Sequence, residues 1–121
     1  MPQPRALTPE RVDQVVAWRR SGQPEDPNLR RDYERLMEVY CVVKTGGVQV
    51  QQQAARDFQR REQARIEGEI AENADAPEVG ALHQEILDLK DYIDWRVEFL
   101  ASITAQEEAA VVAVMAVIEG D

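Results

Sequence analysis

The sequence predicts an all-α protein, and three observations carry that expectation. Apolar residues recur at three- and four-residue spacing, prolines stand at helix starts, and glycines stand at helix stops. The 121 residues fit one domain, or one domain with an extension, and 44% are hydrophobic, too many and too periodic for a disordered chain. The expected organisation is an amino-terminal helical hairpin over residues 1–47, a charged helical arm over 48–76, and a long heptad helix with an apolar tail over 77–121. The last region reads as a helical, coiled-coil oligomerisation element.

Residues 1–7 read as a loose, proline-containing arm. Thr8-Pro9-Glu10 then starts a helix: Thr8 can cap, proline costs nothing at the first helical position, and Glu10 faces the positive end of the dipole. Leu7 and Val12 occupy the two positions of a hydrophobic staple. Val12, Val15, Val16 and Arg19 continue one face until Ser21-Gly22 stops it. Asp26-Pro27 repeats the cap-then-proline start, and Leu29, Tyr33, Leu36, Met37, Tyr40 and Val43 recur at helical spacing up to Gly46-Gly47.

Residues 48–73 are polar and helix-favouring, with only Ala54, Phe58, Ile66 and Ile70 as a thin apolar stripe. Asp57–Arg61 and Arg65–Glu69 stand four apart, the spacing of helical ion pairs. Asp75 and Glu78 have the spacing of a capping box around Pro77. Val79, Leu82, Ile86, Leu89, Ile93, Arg96, Leu100 and Ile103 then alternate steps of three and four, and the frame resumes after Glu107 at Ala110, Val114 and Val117. Tyr92, Trp95 and Phe99 lie outside this seam and widen the apolar surface. As one helix, residues 77–118 would be about 63 Å long, against a radius of gyration of ~14 Å for a compact chain of this size. Either that helix breaks or its excess packs on another copy. The tail Val111–Ile118 is apolar on every side and rich in β-branched residues, so helix and a short carboxy-terminal strand both remain open. Self-association is expected in either case, through Leu82, Ile86, Leu89, Ile93, Leu100, Ile103, Val114 and Val117.

Charge is divided unevenly along the chain. Residues 1–65 carry 12 basic and 9 acidic side chains, whereas residues 66–121 carry 2 basic and 14 acidic ones. Such a split suits different partners for each half, or one half pairing with the other. Arg19, Arg20, Arg30, Arg31, Arg56, Arg60, Arg61 and Arg65 are the candidate nucleic-acid contacts, although acidic residues interleave with every cluster. Glu85, Asp88, Asp91, Asp94 and Glu98 form an acidic band that would suit a basic protein target.

The chain lacks the residues that most chemistry needs. His83 is the only histidine, which excludes a histidine-based zinc cluster or a Ser-His-Asp triad within one chain. His83-Gln84-Glu85 has the wrong spacing for the Glu-x-x-His pairs of helical di-iron sites. Cys41 excludes an internal disulfide and reads as a buried structural thiol. Gly46-Gly47 lacks the Lys-Ser/Thr of a phosphate loop. A helix-turn-helix across Val39–Phe58 fits poorly, because Gln52, Gln53 and Arg56 fall where apolar residues belong. No enzyme and no cofactor are expected, and no apolar run is long enough to span a membrane as a helix.

Residues 29–103 resemble in layout the small terminase subunits of tailed bacteriophages. The resemblance rests on Leu36-Met37-Glu38-Val39-Tyr40-Cys41 in an early helix, on the charged stretch Arg60–Glu69, and on the seam around Ile86-Leu87-Asp88-Leu89. It implies a ring-forming DNA-packaging component whose partners are DNA and a large motor subunit, acting in the cytoplasm of a bacterial host. Alongside it stands an acidic helical chaperone, inhibitor or immunity protein that binds a basic partner through residues 85–98.

Overall fold

A computed structural model of the chain describes residues 6–120. Five helices follow in order: α1 (Pro9–Arg20), α2 (Pro27–Lys44), α3 (Val48–Glu72), α4 (Val79–Ala101) and α5 (Ala105–Gly120), with no strand among the described residues. The chain divides into two units, one running through Val48 and resuming at Ala101, the other spanning Gln49–Leu100.

In the first unit α1, α2 and α5 pack against one another as a three-helix bundle. The helix starts form as the local chemistry dictates. Thr8 accepts from the Arg11 N–H at 3.2 Å, and Asp26 accepts from the N–H groups of Asn28 and Leu29 at 3.0 and 3.2 Å. Leu7 and Val12, the expected staple, are both buried. Gly46 and Gly47 have φ of 115° and 97°. They close α2 by donating to the carbonyls of Val43 at 3.2 Å and Val42 at 2.9 Å, the two crossed bonds of a Schellman motif. Of the amino-terminal arm, only Ala6 and Leu7 fall within the described residues. Leu7 is not loose: its N–H donates to Glu107 at 3.0 Å.

The bundle core is Leu7, Val12, Val15, Trp18, Leu36, Val39, Val42, Ile103, Ala110, Val111 and Ile118. Trp18 donates from Nε1 to the Pro24 carbonyl at 2.7 Å, so the indole is buried with its polar handle satisfied. The buried face of α2 runs through Asp32, Arg35, Leu36, Val39 and Val42. That face is rotated from the expected stripe, and Cys41 accordingly turns outward. It is an exposed free thiol, which corrects the reading of a buried one.

The long heptad helix breaks at Ser102–Thr104. Thr104 Oγ1 accepts from the Glu107 N–H and Glu107 Oε1 accepts from the Thr104 N–H, both at 3.1 Å, a reciprocal capping box that starts a new helix. The tail is helix α5 rather than strand, and it joins the amino-terminal hairpin rather than residues 77–101. Ala110, Val111 and Ile118 are covered by α1 and α2, so this part of the apolar tail is buried within the one chain.

In the second unit α3 and α4 form an antiparallel hairpin. Gln52 Nε2 donates to the Val97 carbonyl at 3.4 Å near one end, and Arg65 meets Glu85 at 3.5 Å nearer the other. Its buried apolar residues are Ile66, Ile93 and Leu100 alone among those described. The cap around Pro77 differs from expectation. α4 starts at Val79, with the Glu78 carbonyl accepting from the Leu82 N–H at 3.1 Å, so Glu78 caps the helix where Asp75 was expected to do so.

Candidate functional site

The α3–α4 hairpin is the candidate site, because it buries little of its own apolar surface and shapes the rest into a groove of about 660 Å³. On the α3 side the groove is lined by Ala54, Phe58 and Glu62, and on the α4 side by Glu85, Asp88 and Tyr92, with Ile66 and Ile93 at its floor. Phe58 is 43% exposed, Tyr92 54% and Trp95 53%. Tyr92, Trp95 and Phe99 form a ladder along α4, with ring centroids 6.0 and 6.1 Å apart, and the Arg96 guanidinium lies 5.4 Å from the Phe99 centroid. The helical period produces this row: steps of three and four residues place the three rings on one line of α4.

The eight residues expected to drive oligomerisation do not form one seam. Leu82, Ile86 and Leu89 are half-buried and Ile93 and Leu100 buried on α4, whereas Val114 and Val117 are half-buried on α5 and Ile103, in the segment that precedes α5, is buried. The break at Thr104 separates the two sets.

The arginines also divide. Arg19, half-buried, and Arg20, Arg30 and Arg31, exposed, belong to α1 and α2. Arg56, Arg60, Arg61 and Arg65 are exposed on α3. Arg65 holds Glu62 at 3.0 Å and Glu69 at 2.7 Å. Asp57 pairs with Arg60 rather than with Arg61 as expected, and its carboxylate also accepts from the Gln53 amide, one turn earlier. That amide and Arg60 hold the Asp57 carboxyl below its ordinary range. Glu85, Asp88, Asp91, Asp94 and Glu98 are all exposed on α4; the first two line the groove and the other three do not.

A second polar constellation lies inside the bundle. Arg35 Nε and Nη2 meet the two oxygens of Glu107 at 3.0 Å each, and Arg35 Nη2 donates to the Ser102 carbonyl at 3.2 Å. Burial alone would raise the Glu107 carboxyl; the Arg35 guanidinium and the N–H groups of Leu7 and Thr104 outweigh it and hold the carboxyl below its ordinary value. Beside it, Arg11 grips the buried Asp32 at 2.5 and 3.3 Å. Sequence reasoning took Glu107 for an interruption of the heptad. The signal that identifies it is Thr104-Ala105-Gln106-Glu107, a capping-box spacing within the apolar tail region.

Chemically, the groove offers apolar and aromatic surface with carboxylates and guanidinium groups at its edge, and no histidine, cysteine or serine lines it. Among the described residues, no group of three or more His, Cys, Asp or Glu is arranged to hold a metal, and no single helix is long and apolar enough to cross a membrane. Comparison with protein-family models, curated proteins and solved structures finds no match to this chain.

Proposed function

We propose that this chain is a non-enzymatic, self-assembling helical adaptor, with the α3–α4 hairpin as its assembly module and Arg19, Arg20, Arg30 and Arg31 of α1 and α2 turned toward an anionic partner. The observation that carries the reading is the unequal burial of the two units. The bundle encloses eleven apolar residues, whereas the hairpin buries Ile66, Ile93 and Leu100 and leaves Phe58, Leu87, Tyr92 and Trp95 in solvent. Two helices with so small a core gain too little from burial to offset the ordering of their chain, so a partner surface is needed. A protein partner also suits the rigid aromatics, which dominate interface energetics.

DNA is the anionic partner in the terminase-like form of the proposal, with a large motor subunit completing the assembly. Arg30 and Arg31 stand exposed close to the start of α2. Light scattering of the full chain at low and moderate salt tests the assembly: a defined oligomer is expected, and a monomer at all concentrations overturns it. Duplex-DNA binding should fall steeply with salt, and no binding at low salt removes DNA from the proposal.

The second reading, an acidic helical protein that binds a basic target, is favoured by one observation. Leu87, Asp91, Asp94 and Glu98 are exposed on α4 at steps of four and three, an apolar residue followed by three carboxylates. Reversing the charge at Asp91 and Asp94 should then abolish capture of a basic target and leave the oligomer's mass unchanged.

A further inference from the structure

We propose that the groove face of the α3–α4 hairpin binds the same face of a second copy of this chain, related by a two-fold axis that lies in the face and runs along the helices. The proposal rests on the self-assembly reading and specifies its surface, symmetry and register.

Each helix carries a heptad row on this face, distinct from the seam that packs inside the hairpin. On α3 the row is Gln51, Ala54, Phe58, Arg61 and Arg65; on α4 it is Glu85, Asp88, Tyr92, Trp95 and Phe99. Both alternate steps of three and four, the spacing by which a helix presents one continuous line to a partner helix. Gln51, Ala54 and Phe58 line the groove from α3, and Glu85, Asp88 and Tyr92 from α4. Arg61, one turn beyond Phe58, extends the α3 row, and Trp95 and Phe99 extend the α4 row through their ring contacts with Tyr92.

The register is fixed by the two contacts that cross the hairpin, Gln52–Val97 and Arg65–Glu85. Counting from them along antiparallel helices, Phe58 is level with Tyr92, Ala54 with Trp95, Gln51 with Phe99, and Arg61 with Asp88. A rotation by half a turn about an axis along the helices preserves every one of these levels and lays α3 of each copy over α4 of the other. The small Ala54 side chain then faces the partner's Trp95, Phe58 faces the partner's Tyr92, and Arg61 faces the partner's Asp88. Trp95 meets a small residue, Tyr92 meets another ring, Phe99 meets Gln51, and a guanidinium meets a carboxylate, each twice over by symmetry.

Charge also decides between occupants. The face carries Arg61, Arg65 and Arg96 against Glu62, Glu85 and Asp88, so it is balanced in sign. A uniformly basic partner would meet three arginines as well as three carboxylates, whereas a copy of the same face satisfies both signs. Helix pairs choose partners through such flanking charges.

The test is a charge swap in the full-length chain, read by light scattering and sedimentation. Arg61 and Asp88 are exposed, so Arg61→Asp and Asp88→Arg should leave helicity by circular dichroism unchanged. Each single reversal places like charges in contact and should weaken association by about tenfold or more. The double variant Arg61→Asp/Asp88→Arg restores the pairing and should recover the mass of the unaltered protein. Singles that assemble normally, or a double that remains as weak as the singles, overturn this surface while the assembly reading stands. An unaltered chain that is monomeric overturns both.

Discussion

The Arg35 guanidinium and the Glu107 carboxylate meet edge to edge at 3.0 Å on both sides, across 72 residues of sequence, with Glu107 fully enclosed. This pair fastens the middle of α2 to the start of α5. Through Leu7 and Thr104 the same carboxylate also holds the entry to α1 and the cap of α5. A buried charge satisfied on every side specifies one arrangement of the three helices, because each alternative leaves it unpaired.

Removing one member of the pair is the sharpest test of that role. Arg35→Met leaves an unpaired buried carboxylate and should destabilise the chain by about 3–5 kcal/mol. Arg35→Met/Glu107→Gln removes the charge as well, and its one carboxamide oxygen keeps an acceptor for one of the two N–H groups, Leu7 or Thr104, that the carboxylate served. The double variant should therefore be more stable than Arg35→Met alone, and urea midpoints compare the two directly.

The same carboxyl makes stability depend on pH. Its folded value lies below the ordinary 4.5, so in that window the folded chain binds fewer protons than the unfolded one and stability rises with pH. The stabilisation is complete above the ordinary value and is lost as pH falls through the folded value. Urea midpoints taken from about pH 6 to about pH 3 should drop, and Glu107→Gln should flatten the drop.

The break in the long helix depends on a cap. Thr104→Ala removes the acceptor for the Glu107 N–H and should cost about 1 kcal/mol, with the melting temperature lowered accordingly. A serine at the same position should retain most of the stability.

Gly47 closes α2 with φ of 97°, and a Cβ there would meet the Glu108 carboxylate at 3.4 Å. The contact is tolerable; the backbone conformation is not. Gly47→Ala should destabilise by about 1–2 kcal/mol through the left-handed geometry alone, measurable as a shift in the urea midpoint.

Cys41 lies on the outer face of α2. A thiol reagent should titrate it fully in the folded protein, without denaturant, whereas a buried thiol would react only on unfolding.

What the sequence determined by itself was local. Thr8, Asp26 and Gly46-Gly47 bound their helices because caps and stops act within a few residues, and hydrophobic period makes every described element helical. Period could not say which face of α2 turns inward, since Asp32 and Arg35 are buried only when Arg11 and Glu107, distant in sequence, arrive to satisfy them. Nor could it show where the heptad of residues 79–118 ends, because three- and four-residue spacing continues through Thr104 while the cap interrupts the backbone. The candidate groove was half legible: Tyr92, Trp95 and Phe99 stood outside the main seam and Ala54 and Phe58 belonged to a thin stripe, but only Gln52–Val97 and Arg65–Glu85 set the two helices in register and bring the two rows level. Short-range hydrogen bonding fixes where helices start and stop; pairing between distant residues decides which surfaces are buried inside the chain and which stay exposed.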